Sequence, residues 1–291
     1  MNIQLHSKAG IHHAIQRGDG PVVFFLHGFP DNNHSFDLQL DALVEAGFRC
    51  IIPVMRGYEP SSIPKDKNYS LLALSGDLEA WRVQLKLDHF HLIGHDWGAL
   101  TAYIYAAQYG NHLLSLTTMA IPPLNELQRV FYRTPKQYKN SAYIALFQLR
   151  GVAEWLYTRR DFALMQGLWN RWSPGFPASS LESVKNTFRQ PGVVIAALSY
   201  YRCLLRDVLC GRVDRLLTQS IVTPTLVLAG ENDGCMDISL YSKAIKDQYF
   251  SGGLEFQSFA GAGHFLHQEI PEIVNPVLIE WLQSHHSSIA A

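Results

Sequence analysis

Three side chains have the types and the chain order of a nucleophile, an orienting acid and a base. Asp96 is central in Gly94-His95-Asp96-Trp97-Gly98, Asp233 lies in Gly230-Glu231-Asn232-Asp233-Gly234, and His264 ends Gly261-Ala262-Gly263-His264. Small residues at both ends of the first pentapeptide permit a reversal so sharp that the middle side chain projects at the top of a sheet, the nucleophile elbow usually written G-x-S-x-G. Here the elbow holds a carboxylate instead of a hydroxyl, which changes the electrophile. Attack on an ester would give an anhydride, whereas attack on an sp³ carbon gives an alkyl ester that water can later cleave at its acyl carbon. The residue types therefore predict alkyl transfer rather than direct ester hydrolysis. Gly and Asp are also ordinary turn residues; what sets Asp96, Asp233 and His264 apart is the order nucleophile, acid, base, with the last two expected just beyond later strands.

The roles follow from the chemistry. His264, held in one tautomer by Asp233, takes a proton from water, and that water attacks the carbonyl carbon of the ester on Asp96. Charge on the tetrahedral oxygen needs aimed donors. The loop His27-Gly28-Phe29-Pro30 offers the backbone N–H of Phe29 beside that of Trp97 as an oxyanion hole. His27 is assigned to orienting this loop, and His267, three residues past the expected slot, is a weaker candidate for the base.

These residues need a scaffold. Val22 to Leu26 reads as a strand and Phe36 to Ala46 as a helix stopped by Gly47. The rhythm repeats with a strand at Arg49 to Pro53, a helix at Ser70 to Leu85, a strand at Phe90 to Ile93, a helix at Ala99 to Tyr109 and a strand at Leu114 to Met119. Alternation of this kind requires crossovers and gives a parallel sheet with ligands at its carboxyl edge. From about Ile121 the chain turns aromatic and helical, then the rhythm resumes with strands at Thr225 to Ala229 and Leu254 to Phe259 and helices near Ile238 to Lys246 and Pro271 to Ser284. The division predicted is an α/β core over 1–121 and 217–291 interrupted by a helical segment over 122–216, with a tail at His285-His286-Ser287-Ser288.

Composition excludes several classes. With 47% apolar and 17% charged residues in 291, the chain can bury a large core and is not disordered. Lys plus Arg is 24 against Asp plus Glu 25, with no basic stripe, so nucleic acid and anionic membranes lose their usual footprint. No apolar run reaches the roughly 20 residues of a membrane span, and Met1 to Lys8 lacks the pattern of a secretory signal, which makes a cytoplasmic home the default expectation. Cys50, Cys203, Cys210 and Cys235 form no CxxC and read as reduced thiols. His89, His91 and His95 straddle a strand and a turn, with no carboxylate or Cys completing a zinc set, so no metal is expected.

Together, His27-Gly28-Phe29-Pro30, Arg56-Gly57-Tyr58, Gly94-His95-Asp96-Trp97-Gly98, Gly-Glu-Asn-Asp at 230–233 and Gly263-His264-Phe265 resemble the α/β-hydrolase-fold epoxide hydrolases over nearly the full length. The resemblance implies a mostly parallel sheet with flanking helices, a helical cap between the sixth and seventh core strands, no cofactor, and two cap tyrosines that hydrogen-bond the epoxide oxygen. Tyr143, in Tyr143-Ile144-Ala145-Leu146-Phe147-Gln148, and Tyr201, in Tyr200-Tyr201-Arg202, match those two, although the cap also holds Tyr132, Tyr138, Tyr157 and Tyr200. An opening epoxide leaves as an alkoxide, which a phenol can protonate at neutral pH. Val54 and Phe36 depart from an Asp and a Trp common in the family, as do Glu59 and Pro60.

The aromatic content of the cap, with Trp155, Trp169, Trp172 and Phe176, suggests a largely apolar small-molecule epoxide, with water as the second reactant; Trp97, Phe29 and Trp155 are the expected substrate contacts, and no nucleic acid, no membrane and a monomer or homodimer are expected. Two other readings remain. A haloalkane dehalogenase would use the same Asp96 with Trp97 as a halide donor, but Phe29 stands where a side-chain donor is usual. A non-catalytic hydrolase-fold binder would have no use for a triad.

Overall fold

Val22–Leu26, Phe90–His95 and Thr225–Gly230 are buried at every position, as in strands covered on both faces. They belong to one sheet in the computed structural model of the chain, which describes residues 1–131, 133–176, 181–213 and 220–286. The strands are β1 (Asn2–Ser7), β2 (Gly10–Arg17), β3 (Val22–Leu26), β4 (Arg49–Pro53), β5 (Phe90–His95), β6 (Leu113–Met119), β7 (Thr225–Gly230) and β8 (Leu254–Phe259). Their spatial order is β1-β2-β4-β3-β5-β6-β7-β8. From β4 to β8 all pairings are parallel, while β1–β2 and β2–β4 are antiparallel. The hairpin β1–β2 has no counterpart in the sequence reading, because β1 at the sheet edge buries only Leu5 of its six residues and so shows almost no periodic signal.

Alternate side chains of β3 serve the two faces. Val23 and Phe25 pack with Leu40 and Leu43 of α1 (Asp37–Glu45) and, further along, with Val274 and Leu278 of the C-terminal helix Pro271–Ser284. Phe24 and Leu26 face Leu78 and Trp81 of α2 (Leu71–Gln84). On the same side lies α3 (Trp97–Tyr109), which is buried along nearly its whole length. A helix apolar all round must be covered on every side; α3 packs on the sheet and on α2, and its first turn, at Trp97, meets Tyr200 and Tyr201 of the segment between β6 and β7.

That segment is helical, with α4 (Leu124–Phe131), α5 (Pro135–Asn140), α6 (Ala142–Phe147), α7 (Val152–Trp172), α8 (Leu181–Arg189) and α9 (Val193–Leu209). A kink at Arg159–Phe162 divides α7. The change of rhythm expected near Ile121 falls between β6, which ends at Met119, and α4, which begins at Leu124; the expected boundary at 216, Tyr132, Ser287 and Ser288 lie outside the described residues. Among the described residues the α-helices after β7 are α10 (Ser239–Ala244), α11 (Leu266–Glu269) and the longer α12 (Pro271–Ser284).

The segment docks through Arg56-Gly57-Tyr58. Arg56 is buried, donating from Nε to Asp77 Oδ2 at 2.7 Å and from Nη1 to the Asn68 carbonyl at 3.0 Å. Removing either partner strands a buried charge, a cost of about 3–5 kcal/mol. The Arg56 carbonyl so positioned accepts from the Tyr200 hydroxyl at 2.6 Å. Gly57, at φ 77°, would drive a Cβ into Ala196 of α9, so only glycine lets the helix approach.

Candidate functional site

Asp96 stands between β5 and α3 with φ 51° and ψ −116°, outside the regions a non-glycine residue ordinarily occupies. Gly98 makes this possible, since a Cβ there would overlap the Leu26 carbonyl of the neighbouring strand. The Asp96 carboxylate is aimed between two partners. Its Oδ1 accepts from the Phe29 backbone N–H at 2.7 Å, and its Oδ2 stands 3.4 Å from His264 Nε2. On the far side of the ring, His264 Nδ1 donates to Asp233 Oδ2 at 2.8 Å. Asp233 Oδ1 accepts from the backbone N–H groups of Cys235 at 2.6 Å and Met236 at 2.9 Å. The three residues singled out in the sequence thus meet at the carboxyl edge of β5, β7 and β8.

His264 is fully buried. Burial by itself would push the imidazole down, but the charge and hydrogen bond of Asp233, reinforced by Asp96, more than offset it and hold His264 up at about 10. The ring is therefore an imidazolium while both carboxylates are charged. Neutralising Asp96 removes part of that support.

Tyr143 and Tyr201 border the same cavity, of about 280 Å³, together with Asp96, Trp97, Cys235 and Met236 and a wall of Leu71, Leu100, Ile121, Leu124, Leu127 and Leu204. Burial pushes both phenols well above their ordinary value, so they are donors at neutral pH. The Tyr143 hydroxyl lies 3.7 Å from Cys235 Sγ, and the buried Tyr201 hydroxyl has no hydrogen-bond partner. Tyr200, its neighbour, points the other way and is occupied by Arg56. Tyr157 is buried in an aromatic cluster with Phe29, Phe147 and Phe188.

Two expected substrate contacts are placed elsewhere. The ring of Phe29 is packed against Phe147, Tyr157, Trp172, Phe188 and Tyr201 and does not line the cavity; its contribution to the site is the backbone N–H. Trp155 is 55% exposed, with the Arg159 guanidinium 4.1 Å from its ring centroid, and is no part of the cavity wall. An aromatic residue in an apolar helical segment carries no mark of which face it will occupy. Trp155→Ala is expected to leave kcat/KM within roughly twofold, the scale of surface substitutions, as steady-state kinetics would show. Of the other aromatics, Trp172 touches His264, Tyr143 and Phe29, whereas Trp169 stacks on Phe265 at 3.8 Å.

Several supports were invisible in the sequence. The Trp172 carbonyl, at the end of α7, accepts from both Gly234 N–H at 3.2 Å and His264 N–H at 3.0 Å, tying the acid and base loops to one point. His95 Nε2 donates to the His264 carbonyl at 2.9 Å. His27 Nε2 accepts from the Met55 N–H at 3.0 Å, in keeping with its assignment to the loop. His267 bonds Ser35 Oγ at 2.8 Å and makes no contact with Asp96. His89 is exposed and His91 bonds Ser115, so the histidines of 89–95 do not converge.

The buried histidines have a consequence for stability. Burial pushes His27 down to about 4, His91 and His95 to about 3, and His267 well below its ordinary value. In the unfolded chain each titrates near 6.5, so as pH falls from about 6.5 the unfolded state binds more protons and stability is lost. Asp31, raised by burial to about 7, works in the opposite sense but is one group against four. The melting temperature is expected to fall steeply between about pH 6.5 and 4.5. His91→Gln, away from the cavity, should flatten that fall; an unchanged slope would remove His91 from the account.

The sheet order, the carboxylate in the elbow and the acid and base on the next two strands define an α/β hydrolase, and residues 21–270 match the family described as alpha/beta hydrolase fold. "Epoxide hydrolase 3" of Mus musculus is 31% identical over 91% of this chain and 71% of its own length. "AB hydrolase superfamily protein YfhM" of Bacillus subtilis is 30% identical over 93% of each. The chain belongs to the epoxide hydrolase family of α/β hydrolases. The solved structure of epoxide hydrolase A from Mycobacterium thermoresistibile, 24% identical, has a TM-score of 0.82 and covers 97% of this chain and 98% of that one, a likeness of fold. Among the described residues no helix is long and apolar enough to cross a membrane.

Proposed function

We propose that the protein opens a small, largely apolar epoxide to a vicinal diol through a covalent ester on Asp96. The observation that carries this reading is the placement of a carboxylate in the elbow opposite two protonated phenols, one without an internal partner, across a single apolar cavity. An unsatisfied buried hydroxyl calls for a ligand acceptor, and an epoxide oxygen supplies one.

In the first step an Asp96 oxygen bonds to a ring carbon, the carbon–oxygen bond of the epoxide breaks, and the departing oxygen takes a proton from Tyr143 or Tyr201. Forming the ester removes the charge of Asp96, so the His264 imidazolium loses part of its support. The proton it releases balances the one taken from the tyrosine, and the neutral ring becomes a base. In the second step His264 takes a proton from water, the resulting hydroxide adds to the ester carbonyl, and the Phe29 and Trp97 amides hold the oxyanion. Collapse frees the diol, which retains one oxygen from Asp96. Helices α4 to α9 act as the cap that closes this cavity, and no cofactor enters any step.

The test is the intact mass of His264→Gln after incubation with an aryl epoxide and, separately, with a bromoalkane. The variant is expected to gain the mass of the whole epoxide, and the double variant with Asp96→Asn to gain nothing. A gain equal to the bromoalkane less bromide, with none from the epoxide, would instead establish a dehalogenase. No adduct from either would leave a pocket that only binds.

A further inference from the structure

Cys235, which the proposed reaction does not use, meets Asp96 and His264, which it does. A carboxylate oxygen, Cys235 Sγ and a ring nitrogen of His264 lie within 4.8 Å of one another, all on buried residues. Cys235 is on the cavity wall. His264 Nε2, on a fully buried ring, lacks a hydrogen-bond partner and stands 3.4 Å from Asp96 Oδ2.

We propose that these three side chains form a binding site for a thiophilic divalent cation of the Zn²⁺ or Cd²⁺ kind, which inhibits by occupying nucleophile and base together. The ion is an inhibitor, not a cofactor. Tetrahedral zinc takes sulfur at about 2.3 Å, imidazole nitrogen at about 2.0–2.1 Å and carboxylate oxygen at about 2.0–2.2 Å, which puts ligand atoms roughly 3.3–3.7 Å apart. Asp96 and His264 already stand at that spacing, and a shift of roughly 1 Å brings Cys235 to it. The cavity leaves the fourth position to water. Binding replaces the S–H bond by a metal–sulfur bond, and the thiol proton and the one on His264 Nε2 pass to solvent without any change of oxidation state. The cation's two charges cancel the thiolate and the Asp96 carboxylate, so the charge of the buried cluster, Asp233 included, is the same before and after binding. Mg²⁺ and Ca²⁺, which take oxygen ligands, have no fit to sulfur and imidazole.

Titration of the full chain with CdCl₂, followed by the ultraviolet thiolate-to-cadmium charge-transfer band and by calorimetry, tests the site without any epoxide, so its outcome is separable from that of the proposed reaction. One equivalent is expected to bind with a saturating band, while MgCl₂ gives neither signal. Cys235→Ser and Cys235→Ala should each abolish the band and weaken binding by on the order of 100-fold or more, and Asp96→Asn and His264→Gln by at least about tenfold, with melting curves confirming folded variants. Cys210 is exposed, and Cys210→Ser should leave band and stoichiometry unchanged. A band that survives both Cys235 variants, or one that ignores Asp96→Asn and His264→Gln, overturns the three-point site.

Discussion

Asp96→Asn is expected to lower kcat by on the order of 10⁴- to 10⁶-fold, the scale on which loss of a nucleophile is felt. The amide is no nucleophile toward an sp³ carbon, yet the fold should survive. Asn tolerates positive φ better than most residues, and its side-chain oxygen still accepts the Phe29 N–H that Asp96 Oδ1 accepts at 2.7 Å. Initial rates with an aryl epoxide, alongside a melting curve, measure this. The same variant carries a second signature. With one of its two carboxylate partners uncharged, His264 should titrate below about 10, visible by NMR. Turnover within tenfold of wild type would show that the elbow carboxylate is not the nucleophile.

Removing both phenols is the next largest effect. Tyr143→Phe with Tyr201→Phe is expected to slow ester formation by about 10²- to 10⁴-fold, the usual range for general-acid assistance, with each single change costing less because the other hydroxyl remains. Rapid-quench measurement of the ester on Asp96 isolates this step from the hydrolysis carried by His264. Burial keeps both phenols protonated well past neutrality, so the wild-type rate of this step should show no loss of a donor near pH 8–9. Tyr200→Phe is the contrast. It removes the bond to the Arg56 carbonyl, worth about 1 kcal/mol of stability, and should leave ester formation largely intact. Ester formation in the double variant at the wild-type rate would mean that the alkoxide is protonated by something else.

Much of this site was written in local sequence. The elbow at Gly94–Gly98 is a short-range device, since the reversal depends on small side chains within five residues, and Asp96 was legible from it. The apolar runs of β3, β5 and β7 marked covered strands for the same local reason, and the ends of β7 and β8 then pointed to Asp233 and His264. The family resemblance, rather than periodicity, singled out Tyr143 and Tyr201.

What the sequence by itself determined was the alternation of strands and helices, the interruption after β6, and the three residues proposed as nucleophile, acid and base, because each depends on neighbours within a few positions. Only the tertiary structure decided which aromatics face the cavity. Trp155 and Trp172 occupy the same helical segment with similar surroundings in sequence, yet one lies over Arg159 at the surface and the other against His264. Orientation about a helix axis is set by what the helix packs on. The same is true of Tyr200 and Tyr201, sorted by the distant carbonyl of Arg56, and of Cys235, brought beside Asp96 and His264 by a loop whose own sequence carries no sign of that meeting. Contacts between residues far apart in the chain depend on the packed sheet, and no local pattern records them.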